Sequence, residues 1–480
     1  MDKELLKKAK KLIKDKYGEA FAKKATDEFC LHAMVVNTMP VTRSFGFENF
    51  NAASAETQEA GVIMEFKEEP VQKKTGQKEN VTVNKKINEL LDTLKDDEKL
   101  TFNMQQFYRQ QRMKAFREKI IKSIHPVNSF LERNIERAFA HGTSSLQQQP
   151  YLTKICWLNQ TVRTIADAGS LAEIASDPQI TKLDVPRKLV REINDTGKTL
   201  FAIQYRKKFS QTGKGIIAAV IDSEIALNHK AFGSRVLHRS NYTKEPWGNP
   251  DSHATGVAGI IGSEDAVFMG MAPETTIYNY KVLATNPSLD TDDFQAFLAV
   301  QKALEDGAHL ANCSWGAGPA GDGTSREARA CNTAWELGLT IVKSAGNKGP
   351  GKGTLTTPAD AEGVIVVGAT GKNGKKVEGY SSRGPLASGK NRPHLMAPGG
   401  SDTGGIFSCL TGGGFGDIGM GTSFAAPHVT GLLAVILEGN QSLSPDEQRN
   451  FLIKLCTKLN GFTVDEQGAG IISMASLLQH

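Results

Sequence analysis

The chain has 480 residues, of which 39% are hydrophobic and 23% charged, and these fractions are typical of a soluble globular protein. The net charge of +5 comes from the first 24 residues, which hold nine lysines and four acidic residues, so the balanced remainder argues against a nucleic-acid-binding protein. No apolar run has the length of a transmembrane helix, and the basic start of the chain lacks the apolar stretch of a signal peptide. The six scattered cysteines include no CxxC pair, so we expect a cytoplasmic protein without a zinc site.

The first 190 residues predict mixed secondary structure. Residues 1–25 have the apolar spacing of an amphipathic helix, residues 71–103 are polar and lysine-rich like a surface insertion, and residues 104–140 predict a helix interrupted near Pro126. Strands are predicted at 61–69, 153–165 and 180–189, with a short helix at 170–178.

The rest of the chain alternates strands with helices. Strands are predicted at 215–221, 276–282, 309–315, 339–345 and 363–369, and helices near His253 and at 291–307, 326–338 and 423–439. We expect Thr291 to cap the second of these helices and Gly307 to end it, and Pro427 to lie in the first turn of the last one. This alternation indicates an α/β fold with a mainly parallel sheet covered on both faces, whose ligands bind at the carboxyl ends of strands, where Asp222 lies.

Three residues could together perform acyl transfer, which needs a nucleophile, a base, an orienting acid and an oxyanion hole. Each of them alone also has a structural interpretation. Asp222 could cap a helix, His253 could be a satisfied polar group at a helix start, and Ser423 could be an N-cap.

The segments around these residues resemble a known family. AAVIDSEI (218–225), SHATGVAGII (252–261) and GMGTSFAAPHVTG (419–431) resemble the aspartate, histidine and serine segments of subtilisin-like serine proteases, in the family's chain order. SAGNKG (344–349) and NCSWG (312–316) resemble two further segments, and the similarity extends over about residues 213–480. Three positions depart from the pattern: Glu224 stands where the family has glycine, and Ala254 and Gly256 replace a glycine and a histidine.

The resemblance implies a role for each matching residue. Ser423 would be the nucleophile, His253 the general base and Asp222 the residue that orients the histidine, with Asn347 as oxyanion donor. The residues that it implies for substrate binding are Ser314, Trp315, Gly316, Ala345 and Gly346. It implies no cofactor, and the segment between Gly259 and Pro273 lacks the features of the family's calcium-binding loop, so we expect no metal.

The resemblance also predicts a domain organisation. We expect a helical extension at 1–59, a propeptide-like inhibitory α/β domain at 60–192, a linker at 193–212 and a subtilisin-like three-layer protease domain at 213–480. The expected function is a serine endopeptidase that acts on a protein or peptide, is inhibited by its own N-terminal domain and binds neither nucleic acid nor membrane. Two alternatives stay open: an inactive pseudoprotease that serves as a peptide-binding module, and a maturation protease whose partner is recognised by residues 1–60.

Overall fold

The structure, a computed structural model, describes residues 60–66, 109–121, 154–166, 180–184, 190–191 and 200–478, together with positions 7, 10, 11 and 14. The four isolated positions and residues 109–121 are helical, in agreement with the helices predicted there. The predicted insertion at 71–103 and helix at 170–178 lie outside the described residues. The chain divides into two compact units, residues 1–70 with 115–187 and residues 71–114 with 188–480.

The first unit contains a four-stranded antiparallel sheet. Its strands are β1 (Ala60–Phe66), β2 (Lys154–Cys156), β3 (Thr161–Ala166) and β4 (Ile180–Asp184), in the order β2-β3-β1-β4. The prediction of one strand at 153–165 is wrong, because the chain turns at 157–160 and forms the hairpin β2–β3. Gln160 adopts a left-handed φ of 56° in this turn, which a continuous strand does not permit.

The second unit is built on a nine-stranded sheet with the order β16-β17-β13-β12-β11-β9-β6-β8-β7. Its strands are β6 (Ile217–Asp222), β7 (Val236–Asn241), β8 (Thr276–Lys281), β9 (Leu310–Cys313), β11 (Thr340–Ser344), β12 (Ile365–Thr370), β13 (Leu395–Pro398), β16 (Cys456–Thr457) and β17 (Ile471–Ile472). Every pairing within this sheet is parallel except that of β16 with β17.

Two short strand pairs lie outside the large sheet. β5 (Val190–Arg191) pairs antiparallel with β10 (Trp315–Gly316), and β14 (Phe407–Cys409) pairs antiparallel with β15 (Phe415–Asp417). From residue 200 onward, the α-helices of this unit are α1 (Ala202–Phe209), α2 (Ser252–Gly262), α3 (Asp293–Glu305), α4 (Arg326–Glu336), α5 (Thr422–Gly439), α6 (Pro445–Lys454) and α7 (Val464–Gln467).

Helices cover both faces of the large sheet, which gives the predicted three-layer α/β fold. Ala218 and Val220 of β6 share one buried apolar cluster with α2 and α5. Ala219 and Ile221 alternate with them along the strand and are also fully buried, and α3 contacts β6 and β8. None of the helices in the described part of the chain has both the length and the apolar character that a membrane span requires.

Two local predictions in this unit are wrong. The cap of α3 is Asp292 instead of Thr291, because the Asp292 carboxylate accepts from the N–H of Gln295 at 3.1 Å. α5 begins at Thr422, so Pro427 lies in its second turn and not its first. Gly307 does end α3, with a φ of 81°.

Candidate active site

Asp222 is the last residue of β6 and is completely buried. Its carboxylate oxygen Oδ1 accepts hydrogen bonds from the backbone N–H of Ser223 at 2.7 Å, from the Ser223 hydroxyl at 3.2 Å and from Nδ1 of His253 at 2.8 Å. Two backbone donors, Val282 and Leu283, bond to the Asp222 carbonyl and tie this strand end to the residues that follow β8. The carboxylate therefore has a fixed position at the carboxyl edge of the sheet.

His253 is the second residue of α2. Asp251 caps this helix, and its side chain accepts from the backbone N–H of His253 at 3.0 Å. Because the Asp222 carboxylate is an acceptor, Nδ1 of His253 is the donor in their 2.8 Å contact, which leaves Nε2 as the basic nitrogen. The imidazole also lies against the ring of Phe424, with 5.2 Å between the centroids. This neighbour and the Asp222 contact hold the imidazole in one orientation and one tautomer.

Ser423 lies at the start of α5, one residue before Phe424. Its hydroxyl donates to the carbonyl of Ser314 at 3.2 Å, and its own carbonyl accepts from the hydroxyl of Ser314 at 2.6 Å. In a regular helix the N–H of residue 427 would bond to the Ser423 carbonyl, but Pro427 has no N–H. Pro427 thus leaves this carbonyl available to Ser314.

Asn347 follows β11 and Gly346, and its side-chain amide has a defined orientation. The oxygen Oδ1 accepts from both the backbone N–H and the hydroxyl of Thr422, each at 2.9 Å. Its amide nitrogen Nδ2 is buried and has no hydrogen-bond partner among the described residues. Because Thr422 directly precedes Ser423, this unused donor lies beside the serine, where the N–H groups of the first helical turn also lack intrahelical acceptors.

Of the five residues predicted to bind substrate, Ser314 exchanges hydrogen bonds with Ser423, and the other four fall into two groups. Trp315 and Gly316 form β10, whose partner in this structure is β5 of the same unit. Ala345 and Gly346 have their backbone groups engaged within the unit, since the N–H of Ala345 bonds to Val367 and that of Gly346 to the Thr422 hydroxyl at 3.1 Å. Their contact with substrate stays a prediction.

Sequence reasoning missed several residues that support this site. Thr422 orients Asn347, Asp251 caps the helix of His253, and Lys281 forms a buried ion pair with Glu224. The pattern of a cap before a helix could have revealed Asp251. Nothing in the sequence pairs Lys281 with Glu224, which are 57 residues apart. The described residues include no cluster of three or more His, Cys, Asp or Glu side chains that could bind a metal ion.

Comparisons with known proteins identify the family of this chain. The family model described as "Subtilase family" matches residues 213–470. The serine protease AprX of Bacillus subtilis (strain 168) is 27% identical over 353 residues, which are 66% of this chain and 72% of that protein. Subtilisin DY of Bacillus licheniformis is 30% identical over 274 residues, 56% of this chain and 92% of that protein. A crystal structure of a cold adapted subtilisin-like serine proteinase aligns with a TM-score of 0.45 and 26% identity, and covers 55% of this chain and 88% of that one.

Proposed function

Because this chain belongs to the subtilase family and is a subtilisin-like serine endopeptidase, we propose that Asp222, His253 and Ser423 are its catalytic triad and that Asn347 supplies the oxyanion donor. The observation that carries the proposal is the buried 2.8 Å contact between Nδ1 of His253 and Oδ1 of Asp222. Asp222 ends strand β6, His253 lies at the start of helix α2, and the two residues are 31 positions apart in the chain. A buried aspartate on one imidazole nitrogen leaves the other nitrogen as a base of defined direction.

The chemistry follows from these positions. Nε2 of His253 takes the proton of the Ser423 hydroxyl as that oxygen attacks the peptide carbonyl, and it then gives the proton to the leaving amine. The carboxylate of Asp222 stabilises the imidazolium in between. Negative charge develops on the carbonyl oxygen, where Nδ2 of Asn347 and the backbone N–H of Ser423 donate. Water then hydrolyses the acyl-enzyme by the same proton transfers in reverse.

A fluorophosphonate probe tests this assignment, because it reacts only with an activated serine. We expect labelling of the wild-type protein and none of Ser423→Ala, His253→Ala or Asp222→Asn above background. The alternative is an inactive peptide-binding pseudoprotease, which the departures at Glu224, Ala254 and Gly256 suggest. Absence of Ser423-dependent labelling in a folded wild-type protein would favour that alternative.

We also propose that the N-terminal region inhibits the protease domain of the same chain. The support is the pairing of β5 with β10, in which Arg191 lies opposite Trp315 and Val190 opposite Gly316. Trp315 and Gly316 are residues predicted to bind an extended substrate, so a strand from the chain's own upstream segment competes for the backbone groups that a substrate would use. We expect the junction between inhibitor and protease to lie within about residues 188–200.

Mass spectrometry before and after incubation tests this regulation. The active protein is expected to be clipped within about residues 188–200, whereas Ser423→Ala stays full length. Identical full-length masses for both proteins would contradict self-processing. Selectivity for a partner protein or peptide and a cytoplasmic location are further parts of the proposal, whereas recognition of one partner through residues 1–60 belongs to the alternative of a maturation protease. Rapid digestion of unrelated denatured proteins would count against the selectivity.

A further inference from the structure

The carboxylate of Glu224 lies only two residues after Asp222 and is almost completely buried, with 3% of the residue exposed. One oxygen accepts from the backbone N–H of Gly248 at 2.8 Å, and the other accepts from the N–H of Asn249 at 3.2 Å and from Nζ of Lys281 at 2.9 Å. A buried carboxylate is tolerated only when such donors and a counter-charge compensate its lost hydration. The side chain of Glu224 is therefore bound to Gly248 and Asn249 in the loop that precedes α2.

The main chain of Glu224 contacts the same loop. Its carbonyl accepts from the backbone N–H of Asp251 at 2.8 Å, and Asp251 in turn caps α2 by accepting from the N–H of His253 at 3.0 Å. Glu224 therefore connects the strand end that bears Asp222 to the helix start that bears His253, by a path separate from the direct hydrogen bond between those two side chains.

Lys281 anchors this connection from the neighbouring strand. It is the last residue of β8, lies beside Asp222 in the parallel register and has no exposed surface. Its ammonium pairs with Glu245 at 2.8 Å as well as with Glu224, and it donates to the Pro246 carbonyl at 3.0 Å. Lys281 thus binds the start of residues 245–249 directly, and it binds their end through Glu224, whose carboxylate accepts from Gly248 and Asn249.

The negative charge of Glu245 is compensated by Lys281 and Thr285, without a contribution from Glu224. Its oxygens also accept from the backbone N–H of Thr285 at 3.1 and 3.2 Å and from the Thr285 hydroxyl at 2.5 Å. Although burial opposes ionisation, the Lys281 and Thr285 hydrogen bonds lower the pKa of Glu245 to about 2. The carboxylate of Glu245 is therefore charged at neutral pH, and it still neutralises Lys281 when Glu224 is replaced.

We propose that Glu224 and Lys281 are positioning residues for catalysis, which set the distance and angle between Asp222 and His253. This role rests on the proposed triad and adds the residues that align it. It also gives a function to Glu224 at a position where the resembling family has glycine. With glycine there, Gly248 and Asn249 would lose their carboxylate acceptor, and the cap of α2 could shift relative to β6. A misplacement of about 1 Å in a catalytic group costs on the order of 100-fold in rate.

The maximal rate of inactivation by a fluorophosphonate, kinact, reports how well Ser423 is activated, and the constant KI reports how well the probe binds. We expect Glu224→Gly to lower kinact about 10- to 100-fold with KI almost unchanged. Glu224→Gln keeps an acceptor oxygen for the loop and leaves Lys281 paired with Glu245, so its kinact should stay within about fivefold of wild type. Lys281→Met should lower kinact at least as much as Glu224→Gly.

Glu264→Gly is the matched control. Glu264 follows the C-terminal end of α2, is about half exposed and pairs with Arg235 at 3.2 Å, so Glu264→Gly removes a carboxylate from an ion pair at the end of α2 opposite to His253. Its kinact should equal that of wild type. Circular dichroism and Tm verify folding, and Glu224→Gly serves as the test if Lys281→Met does not fold.

The outcomes separate this role from the proposed function. A kinact of Glu224→Gly within twofold of wild type, or an equal loss in Glu264→Gly, would overturn the positioning role. A lower Tm with unchanged kinact would show that Glu224 is only structural and would overturn it too. If Ser423→Ala were still labelled like wild type, the triad assignment and the positioning role would both fall. Labelling that depends on Ser423 but not on Glu224 removes the positioning role alone.

Discussion

Ser314 and Ser423 exchange two hydrogen bonds: the hydroxyl of Ser314 donates to the Ser423 carbonyl at 2.6 Å, and the hydroxyl of Ser423 donates to the Ser314 carbonyl at 3.2 Å. The first bond exists because Pro427 supplies no N–H to that carbonyl. A second donor, Nδ2 of Asn312, reaches the Ser314 hydroxyl at 2.9 Å and fixes its direction. The strand that is predicted to bind substrate and the helix that bears the nucleophile are thereby joined at the reacting residue.

This relationship predicts that Ser314 and Pro427 are energetically coupled. Ser314→Ala leaves the buried Ser423 carbonyl without a donor and should cost about 1–3 kcal/mol of unfolding free energy. Pro427→Ala restores an N–H at the helical position, so it should recover part of this loss in the Ser314→Ala protein. Urea unfolding in a Ser423→Ala background, which prevents self-digestion, measures all four combinations. Strictly additive effects would contradict the coupling.

Asn347 should affect the rate and not the binding of substrate. Asn347→Ala removes the unpartnered Nδ2 donor and should lower kcat about 10²–10³-fold, the loss known for such an oxyanion donor in this family, with little change in KM. Asn347→Asp keeps an acceptor for Thr422 but has no amide donor. We expect it to be as impaired as Asn347→Ala. An active Asn347→Asp protein would show instead that the residue acts by holding Thr422.

Gly256 leaves room for Ile418, which precedes the nucleophile helix. A Cβ on Gly256 would lie 2.3 Å from Cδ1 of Ile418, whereas the next atom of that side chain is 3.5 Å away. Gly256→Ala should therefore lower stability, by roughly 1–3 kcal/mol for overpacking. Ile418→Val removes Cδ1, and in that background Gly256→Ala should be neutral or stabilising by up to about 1 kcal/mol, since alanine favours the helix. Thermal unfolding of the four proteins decides this, and an unchanged penalty in the Ile418→Val background would refute the steric explanation.

His309 should make stability depend on pH. Burial, together with the charge of Arg109, lowers the pKa of His309 to about 3, and its Nδ1 accepts from the backbone N–H of Ile217 at 3.0 Å. In the unfolded chain this pKa is about 6.5, so only the unfolded state takes up the proton between these values. The free energy of unfolding is therefore unaffected by protonation of His309 above pH 6.5. It decreases as the pH drops towards 3, by at most about 1.4 kcal/mol per pH unit.

His309→Asn provides the comparison, because its side-chain oxygen also accepts from Ile217 but does not titrate. We compare the free energies of unfolding of wild type and variant, both carrying Ser423→Ala. The wild-type value minus the variant value should decrease by about 1 kcal/mol per pH unit as the pH falls from 6 to 4. Parallel stability curves over this range would show that His309 does not stay neutral in the folded protein.

Much of the architecture follows from local patterns in the sequence. The apolar runs of β6 and β12, together with the alternation of strands and periodic helices along the chain, predict the parallel α/β sheet, because burial on both faces favours such apolar strands. The segments around Asp222, His253 and Ser423 predict the chemistry, since each is a short motif with a recognisable order. The structure brings Asp222 and His253 into contact as the sequence leads us to expect.

What only the tertiary structure decided are the contacts between residues that are distant in the chain. Lys281 meets Glu224 across 57 positions because β8 and β6 are neighbours in the sheet, and Ser314 meets Ser423 across 109 positions because α5 packs against β9, which Ser314 directly follows. The pairing of β5 with β10 likewise depends on where the chain returns, not on its composition. A sequence carries the periodicity of each element, but the strand order and register that place two buried side chains together arise from the packing of the whole unit. The candidate active site therefore combines residues that the sequence predicts with a hydrogen-bond network, proposed to align them, that only the fold reveals.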